Sequence, residues 1–328
     1  MNRRTLTRPV AALFAALFAL PFAGPAQSQA FPSKPMRLVV PFAAGGSSDV
    51  MARTLARQFT DSTGQQVVVE NRPGAGGHIA GEYVAKSAPD GYTMLFGTIG
   101  THGIGPAIYK KLPYDPLKDL AAVSALHTHP NVLIVHPSLN VKNVQELVAM
   151  AKAKPGTLSF ASAGNGSVSH LAGEMLKTAT GIALIHVPYK GGGAAITDLV
   201  SGQVSMMLET IPNALALSRG GKVRALAVTS SQRWPQSPEL PTMAESGVPG
   251  YVVDSWTGLF TTGGTPRPVV ERLYQEVVKA NRTASYVEQF KTMGVDCVAS
   301  TPDQFQAFLR DEVAKWGKAI ADSGAKVD

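Results

Sequence analysis

The chain has 328 residues, 30 Lys and Arg against 23 Asp and Glu, 45% hydrophobic residues, 16% charged residues and a single cysteine, Cys297. That length makes one large domain or two ordinary ones, each able to bury a core without disulfides. A charged fraction below the usual figure of about 25% argues against intrinsic disorder, and one cysteine excludes both an intrachain disulfide scaffold and a cysteine-based zinc site.

Arg3, Arg4 and Arg8 precede an apolar run from Val10 to Leu20, followed by Pro21 and small residues ending at Ser28-Gln29-Ala30. A basic start, a short apolar middle and small residues before the break predict a signal peptide over 1–30, cleaved before Phe31. The run is shorter than the roughly 18–20 apolar residues that a spanning helix needs. Cleavage removes three arginines and no acid, so the charge falls from +7 to +4. The remaining basic residues, among them Lys34, Arg53, Arg72, Lys142 and Lys222, are scattered rather than clustered between aromatics. A nucleic-acid groove is therefore not expected. The chain reads as a soluble exported protein.

The mature part alternates strands and helices. Arg37–Phe42 is an apolar, β-branched run closed by Gly45-Gly46, and Met51, Leu55 and Phe59 then mark one face of a helix. Strands follow at Val67–Glu70 and Thr93–Gly97, separated by a Gly-rich loop, a helix through Glu82–Lys86 and the turn Pro89-Asp90-Gly91. The rhythm restarts with strand Val132–Val135 and helix Val144–Lys152, stopped by Pro155-Gly156. It continues with strands at Leu158–Ala161, Ala183–Val187, Val204–Leu208 and Val223–Val228, and helices at Val168–Thr178 and Ala194–Ser201. A β-like segment, Ser255–Phe260, precedes helices at Pro268–Lys279 and Pro302–Lys318. This α/β alternation predicts two parallel sheets with helices on both faces. The Pro/Gly-rich stretch Arg233–Gly250 interrupts the eightfold count of the rival TIM barrel. No internal sequence repeat is evident.

Two strand-to-helix turns are glycine-rich in the same way: Phe42-Ala43-Ala44-Gly45-Gly46-Ser47-Ser48 and Ala163-Gly164-Asn165-Gly166-Ser167. In open α/β sheets, ligands sit beyond the carboxyl ends of strands, where helix N-termini favour anions and glycine permits close approach. The same turns could be plain helix caps, with Ser47 or Ser48 and Ser167 as N-cap residues. Asp49 reads as a capping residue in the first turn of its helix. If the turns are anion sites, a bulky or acidic residue at Gly46 or Gly166 should weaken binding without unfolding the protein. His102, beside Thr98 and Thr101, and His170 could line the cleft or be structural. His127 and His129 are two apart, a spacing that fits packing in a strand, and no metal site is expected. Tyr189 follows a third strand on the same side. Glu209 would sit at the cleft edge, where a carboxylate would favour an ammonium or amide on the solute, unless it faces solvent. No P-loop or GxSxG elbow occurs, and Gly74-Ala75-Gly76 is a weak dinucleotide signal, so no cofactor is expected.

Several longer runs point further. Phe31-Pro32-Ser33-Lys34-Pro35, Pro41–Gly46, Glu70-Asn71-Arg72-Pro73-Gly74-Ala75-Gly76-Gly77 and Pro89-Asp90-Gly91-Tyr92-Thr93 occur in order. Lys111–Pro116, His186–Gly191 and Arg224–Thr229 extend them across the mature chain. In order and spacing they resemble the substrate-binding receptors of tripartite tricarboxylate transporters, the Bug family of extracytoplasmic solute receptors. The resemblance implies a two-lobed periplasmic binding protein, type II-like and of the Venus-flytrap kind, closing on a small organic acid in the cleft between its lobes. It implies lobe one at 31–127 plus 250–328 and lobe two at 128–249. By the same resemblance Phe42–Ser48 and Ala163–Ser167 hold a ligand carboxylate through backbone amides and ordered water, and Thr98, Thr101, His102 and Tyr189 complete the pocket. The chain departs from the pattern at Ser205 and Glu209, where many such receptors carry aspartates.

The expected function is binding without catalysis, by a monomer that hands its solute to a membrane permease. Two alternatives stay open: a secreted α/β enzyme acting on a small carboxylate, and a solute sensor for signalling.

Overall fold

The computed structural model describes residues 31–109 and 111–323; the expected signal peptide lies outside the described residues. Ten strands pair into one sheet with the order β2-β1-β3-β9-β4-β7-β5-β6, with β10 and β8 also paired to β4. Strands β1 (Met36–Val40), β2 (Val67–Asn71) and β3 (Thr93–Thr98) form a parallel trio with β1 in the middle. Strands β5 (Ser159–Ser162), β6 (Ile185–Pro188) and β7 (Met206–Thr210) form a second trio with β5 in the middle. The two trios have the same topology without a repeated sequence.

The strands that join the trios are antiparallel, which corrects the expectation of two purely parallel sheets. Strand β4 (Leu120–Val135) pairs with β9 (Asp254–Thr262) from Leu120 to Pro130. From Asn131 onward it pairs instead with β7 and with β8 (Arg224–Val228). Pro130 therefore stands where β4 changes partners, a place where a residue without an N–H is tolerated. Asn131 stitches the crossing: its Nδ2 donates to the Val253 carbonyl at 3.0 Å and to Ser255 Oγ at 2.9 Å. Strand β10 (Asp296–Cys297) pairs with β4 at His127 and Thr128. Burial, followed by the charge of Asp296, pushes the Cys297 thiol up to about 12.

Helices cover both faces because strand residues alternate in direction. In β1, Leu38 and Val40 pack against Met51, Leu55 and Phe59 of α1 (Ser47–Thr63), whereas Val39 joins the core beneath α2 (His78–Ala85). Helix α1 ends at Gly64, whose left-handed backbone lets its N–H cap the Thr60 carbonyl. Helix α3 (Gly105–Ile108) and α4 (Val144–Ala153) follow, then α5 (Val168–Thr180) and α6 (Gly192–Val200) flanking the second trio. Helix α7 (Ile211–Arg219), absent from the sequence reading, opens with Pro212 in its first turn. The described residues end on α8 (Arg267–Arg282), α9 (Ala284–Thr292) and α10 (Pro302–Ser323). Among the described residues, no helix is long and apolar enough to cross a membrane.

Candidate functional site

In each trio the chain reverses its direction of travel across the sheet at the central strand. A crevice opens at the carboxyl end of such a strand, in front of the helix that follows. The loop after β1 is the first case. Gly45 adopts φ +84°, and its N–H donates to Asp49 Oδ2 at 3.0 Å. Asp49 also takes hydrogen bonds from Arg53 Nε at 3.0 Å and Asn71 Nδ2 at 2.9 Å. Burial would raise the Asp49 carboxyl, but donation from Arg53, Gly45 and Asn71 holds it below the ordinary carboxylate range. Asp49 thus braces the loop rather than capping its own helix. The N-cap of α1 is Gly46, without a side-chain cap, so neither Ser47 nor Ser48 plays that part. Their N–H groups, in the first helical turn, have no partner within the helix.

The loop after β5 is held from behind. Ser162 Oγ accepts the Gly164 N–H, Ser169 Oγ accepts the Ala163 N–H at 3.0 Å, and His170 Nδ1 accepts the Gly166 N–H at 3.2 Å. Ser167 is the N-cap of α5, as read from the sequence, its side chain accepting from the His170 N–H. His170 stacks on His186 at 4.2 Å and supports the loop from within.

These loops meet over one cavity. The N-termini of α1, α5, α6 and α7 all reach its wall, at Gly46–Ser48, Ser167–Ser169, Gly192 and Thr210. Helices α6 and α7, like α1, lack a side-chain cap. Thr210, the N-cap of α7, turns its hydroxyl to Glu209 Oε1 at 2.7 Å and to Ser47 Oγ at 2.6 Å. The second bond joins the two halves of the sheet across the cavity. Tyr109 makes a similar bridge, its hydroxyl donating to the Asn165 carbonyl at 2.9 Å. No lysine or arginine lines the cavity among the described residues. Thr98 is 8% exposed, and its Oγ1 has no hydrogen-bond partner in the protein.

The residues expected at the site divide into three groups. Phe42, Gly46, Ser47, Ser48, Thr98, Ala163, Ser167 and Glu209 line the cavity. Gly164, Asn165 and Tyr189 line an adjoining outer depression with the Gly74–Gly77 loop, and Tyr189 spends its hydroxyl on Asp198 at 2.7 Å. Ala44, Gly45, Gly166, Thr101 and His102 line neither. For Thr101 and His102 the reason is the π-helical turn Gly100–Ile104, every residue of which is buried. It turns His102 into the core, fully buried and stacked on Phe260 at 3.7 Å, with Thr101 Oγ1 bound to its Nδ1 at 2.8 Å. Burial pushes the His102 pKa down to about 3, so the ring is neutral. Ser205, the other position of departure, pairs with Ser159 in the sheet and does not reach the cavity.

Sequence reasoning missed Asn131, Thr210, Asn213 and Trp256. Pro212 was the available signal for the first turn of α7, and with it for Thr210 and Asn213. Trp256 is held by Glu312, whose Oε2 accepts both the Trp256 and the Trp316 indole N–H at 2.8 Å. His129 also lines the cavity, and burial pushes its pKa down to about 4.

Glu209 is 6% exposed, not at a solvent-facing edge. Burial raises its carboxyl pKa, only partly offset by hydrogen bonds from Thr210, Asn213 and Ser47. A carboxyl raised in the folded state contributes stability below the ordinary carboxylate pKa and loses it as pH rises through the folded value. Glu209→Gln should therefore raise the Tm of the ligand-free protein by a few degrees at pH 7. The gain should disappear in melts near pH 4.

Among the described residues, no three His, Cys, Asp or Glu side chains lie close enough to hold a metal ion. Residues 51–325 match the family model described as "Tripartite tricarboxylate transporter family receptor". BugT of Bordetella pertussis is 39% identical over 323 residues, covering 98% of this chain and 99% of that one. The solved structure of R. palustris Rpa4515 with adipate is 36% identical, with a TM-score of 0.88 over 90% of this chain and 100% of that one. The periplasmic binding protein BugD is also 36% identical, with a TM-score of 0.87 over 90% of this chain and 99% of that one. The α/β fold with its interlobe cavity is thus that of periplasmic solute-binding proteins, and the chain belongs to the tripartite tricarboxylate transporter receptor family.

Proposed function

We propose that this protein is a periplasmic receptor that captures a small carboxylate-bearing solute in the cavity and delivers it to a tripartite tricarboxylate-type permease. The observation that carries this reading is the meeting of four helix N-termini, three without side-chain caps, at a cavity that no lysine or arginine among the described residues lines. Such a wall offers N–H donors and the positive ends of helix dipoles, which suit a carboxylate. Phe42 and Gly46–Ser48 form one lip, Ala163 and Ser167 the other, and Thr98 Oγ1 offers a further polar contact. Adipate in the R. palustris relative supports the same ligand class.

Lobe one comprises 31–127 and 250–328, and lobe two 128–249, with the hinge at Asn131 and Val253 where the chain crosses between them. The bridges Ser47–Thr210 and Tyr109–Asn165 form on closure. Closure is a population shift, driven by how much better the solute binds the closed state. The solute leaves unchanged, because the site binds and does not react.

A thermal-shift screen against mono- and dicarboxylates, aromatic acids and amino acids tests the reading. A solute at about 100 times its Kd stabilises by about 2.7 kcal/mol, a rise of roughly 4–5 °C for a protein of this size. A flat response to every acid, or turnover of any of them, would contradict it.

A further inference from the structure

Glu209 is the only carboxylate among the described residues lining the cavity, and it has no cationic partner. Its Oε1 accepts from Thr210 Oγ1 at 2.7 Å, Asn213 Nδ2 at 3.2 Å and Ser47 Oγ at 3.4 Å. None of these bonds ends on Oε2, which faces Gly192 so closely that a Cβ there would stand 3.5 Å away. His129, the other ionisable side chain on the wall, is neutral at pH 7. Asp49, two residues after Ser47, is turned to Arg53 and Asn71 and does not line the cavity.

A carboxylate set in a largely buried wall gains from a cationic partner, and Glu209 has none among the described residues. The donors that reach it from the protein are hydroxyls, an amide and the Thr210 backbone N–H, all neutral, so its charge is left for the occupant of the cavity to balance. A second carboxylate on the solute would meet Glu209 as a like charge. An ammonium would satisfy it as a charge-assisted hydrogen-bond donor. We propose that Glu209 sets specificity for an amino acid: a solute with an ammonium beside its carboxylate, the carboxylate on the helix N-termini and the ammonium on Glu209. This rests on the carboxylate reading above and narrows it. It also sets the chain apart from the relative seen with adipate, whose ligand carries a second carboxylate instead of an ammonium. Ser47 ties the two subsites together, since it begins α1 and also donates to Glu209. Their closeness favours an amino group near the carboxylate rather than at the far end of a long chain.

Calorimetric titration of the wild type and Glu209→Gln with matched pairs tests the proposal. Each pair differs by one ammonium: aspartate and succinate, glutamate and glutarate, leucine and 4-methylpentanoate, phenylalanine and 3-phenylpropanoate. The wild type should bind at least one amino acid on the order of 100-fold more tightly than its partner: a close charge pair at an effective dielectric of about 20 is worth about 1,000-fold, and desolvating the ammonium takes back part of it. Glu209→Gln should bring that ratio to within about threefold. A preference that survives the substitution, or wild-type binding that favours the amino-free acids, overturns the assignment while leaving the carboxylate reading intact. Binding of no acid in either set overturns both. Should Glu209→Gln fail to fold, the wild-type ratios alone decide.

Discussion

Gly46→Asp is expected to weaken solute binding by roughly 100-fold or more while leaving the ligand-free Tm within about 2 °C of the wild type. The N-cap of α1 lines the cavity at φ −80° and ψ 169°, a conformation open to any residue. A Cβ there meets nothing nearer than the Ala43 carbonyl oxygen at 3.7 Å. The new carboxylate would stand where the solute's own is held, so repulsion and competition act together. Titration and melting curves on the same sample check both halves of the prediction. Gly166, the other position suggested by sequence, does not allow so clean a test. It adopts φ +76°, and a Cβ would stand 2.7 Å from the Tyr109 ring, so any side chain strains the backbone and moves the residue that bridges to Asn165.

Glu312→Ala is expected to cost about 3 kcal/mol, a fall of roughly 5 °C in Tm, and to weaken solute binding as well. Oε2 of Glu312 accepts two indole N–H groups, and Lys315 Nζ lies 3.1 Å from Oε1. Removing the carboxylate strands both indole donors in the core, where each unmet group costs about 1–3 kcal/mol. Trp256 is the link to function, since its ring forms part of the cavity wall. Glu312→Gln keeps one acceptor oxygen and should recover part of both losses. Equal affinity in Glu312→Ala and the wild type would show that Trp256 needs no such anchor.

Much of this architecture could be read from local signals. Arg37–Phe42 followed by Gly45-Gly46 and the apolar spacing of Met51, Leu55 and Phe59 marked β1, its loop and α1. The duplication of the β1–α1 arrangement at β5–α5 was legible as two glycine-rich turns, but not as a shared topology, because strand order depends on long-range pairing that leaves no repeat in sequence. The first three-quarters of β4 escaped notice because Ala121-Ala122 and Ser124-Ala125 carry weak strand preference and Pro130 looks like a break. That strand proved to be the main join between the trios. At the site, glycine and serine identified where helices begin, but not which of those residues face the cavity. The π-helical turn after β3 settles that for Thr101 and His102, and its hydrogen-bond pattern has no sequence signature. Glu209 shows the same gap: its position at the carboxyl end of the strand was legible, its burial was not.

The central claim is that helix N-termini recognise a carboxylate at this cavity. The most direct measurement is a calorimetric titration comparing the tightest-binding acid from the thermal screen with its primary amide, identical except that the carboxylate is replaced. A wall of N–H donors predicts affinity for the acid at least roughly 100-fold above that for the amide, because charge-assisted acceptance is lost and amide hydrogens face other donors. Equal affinities would contradict the account.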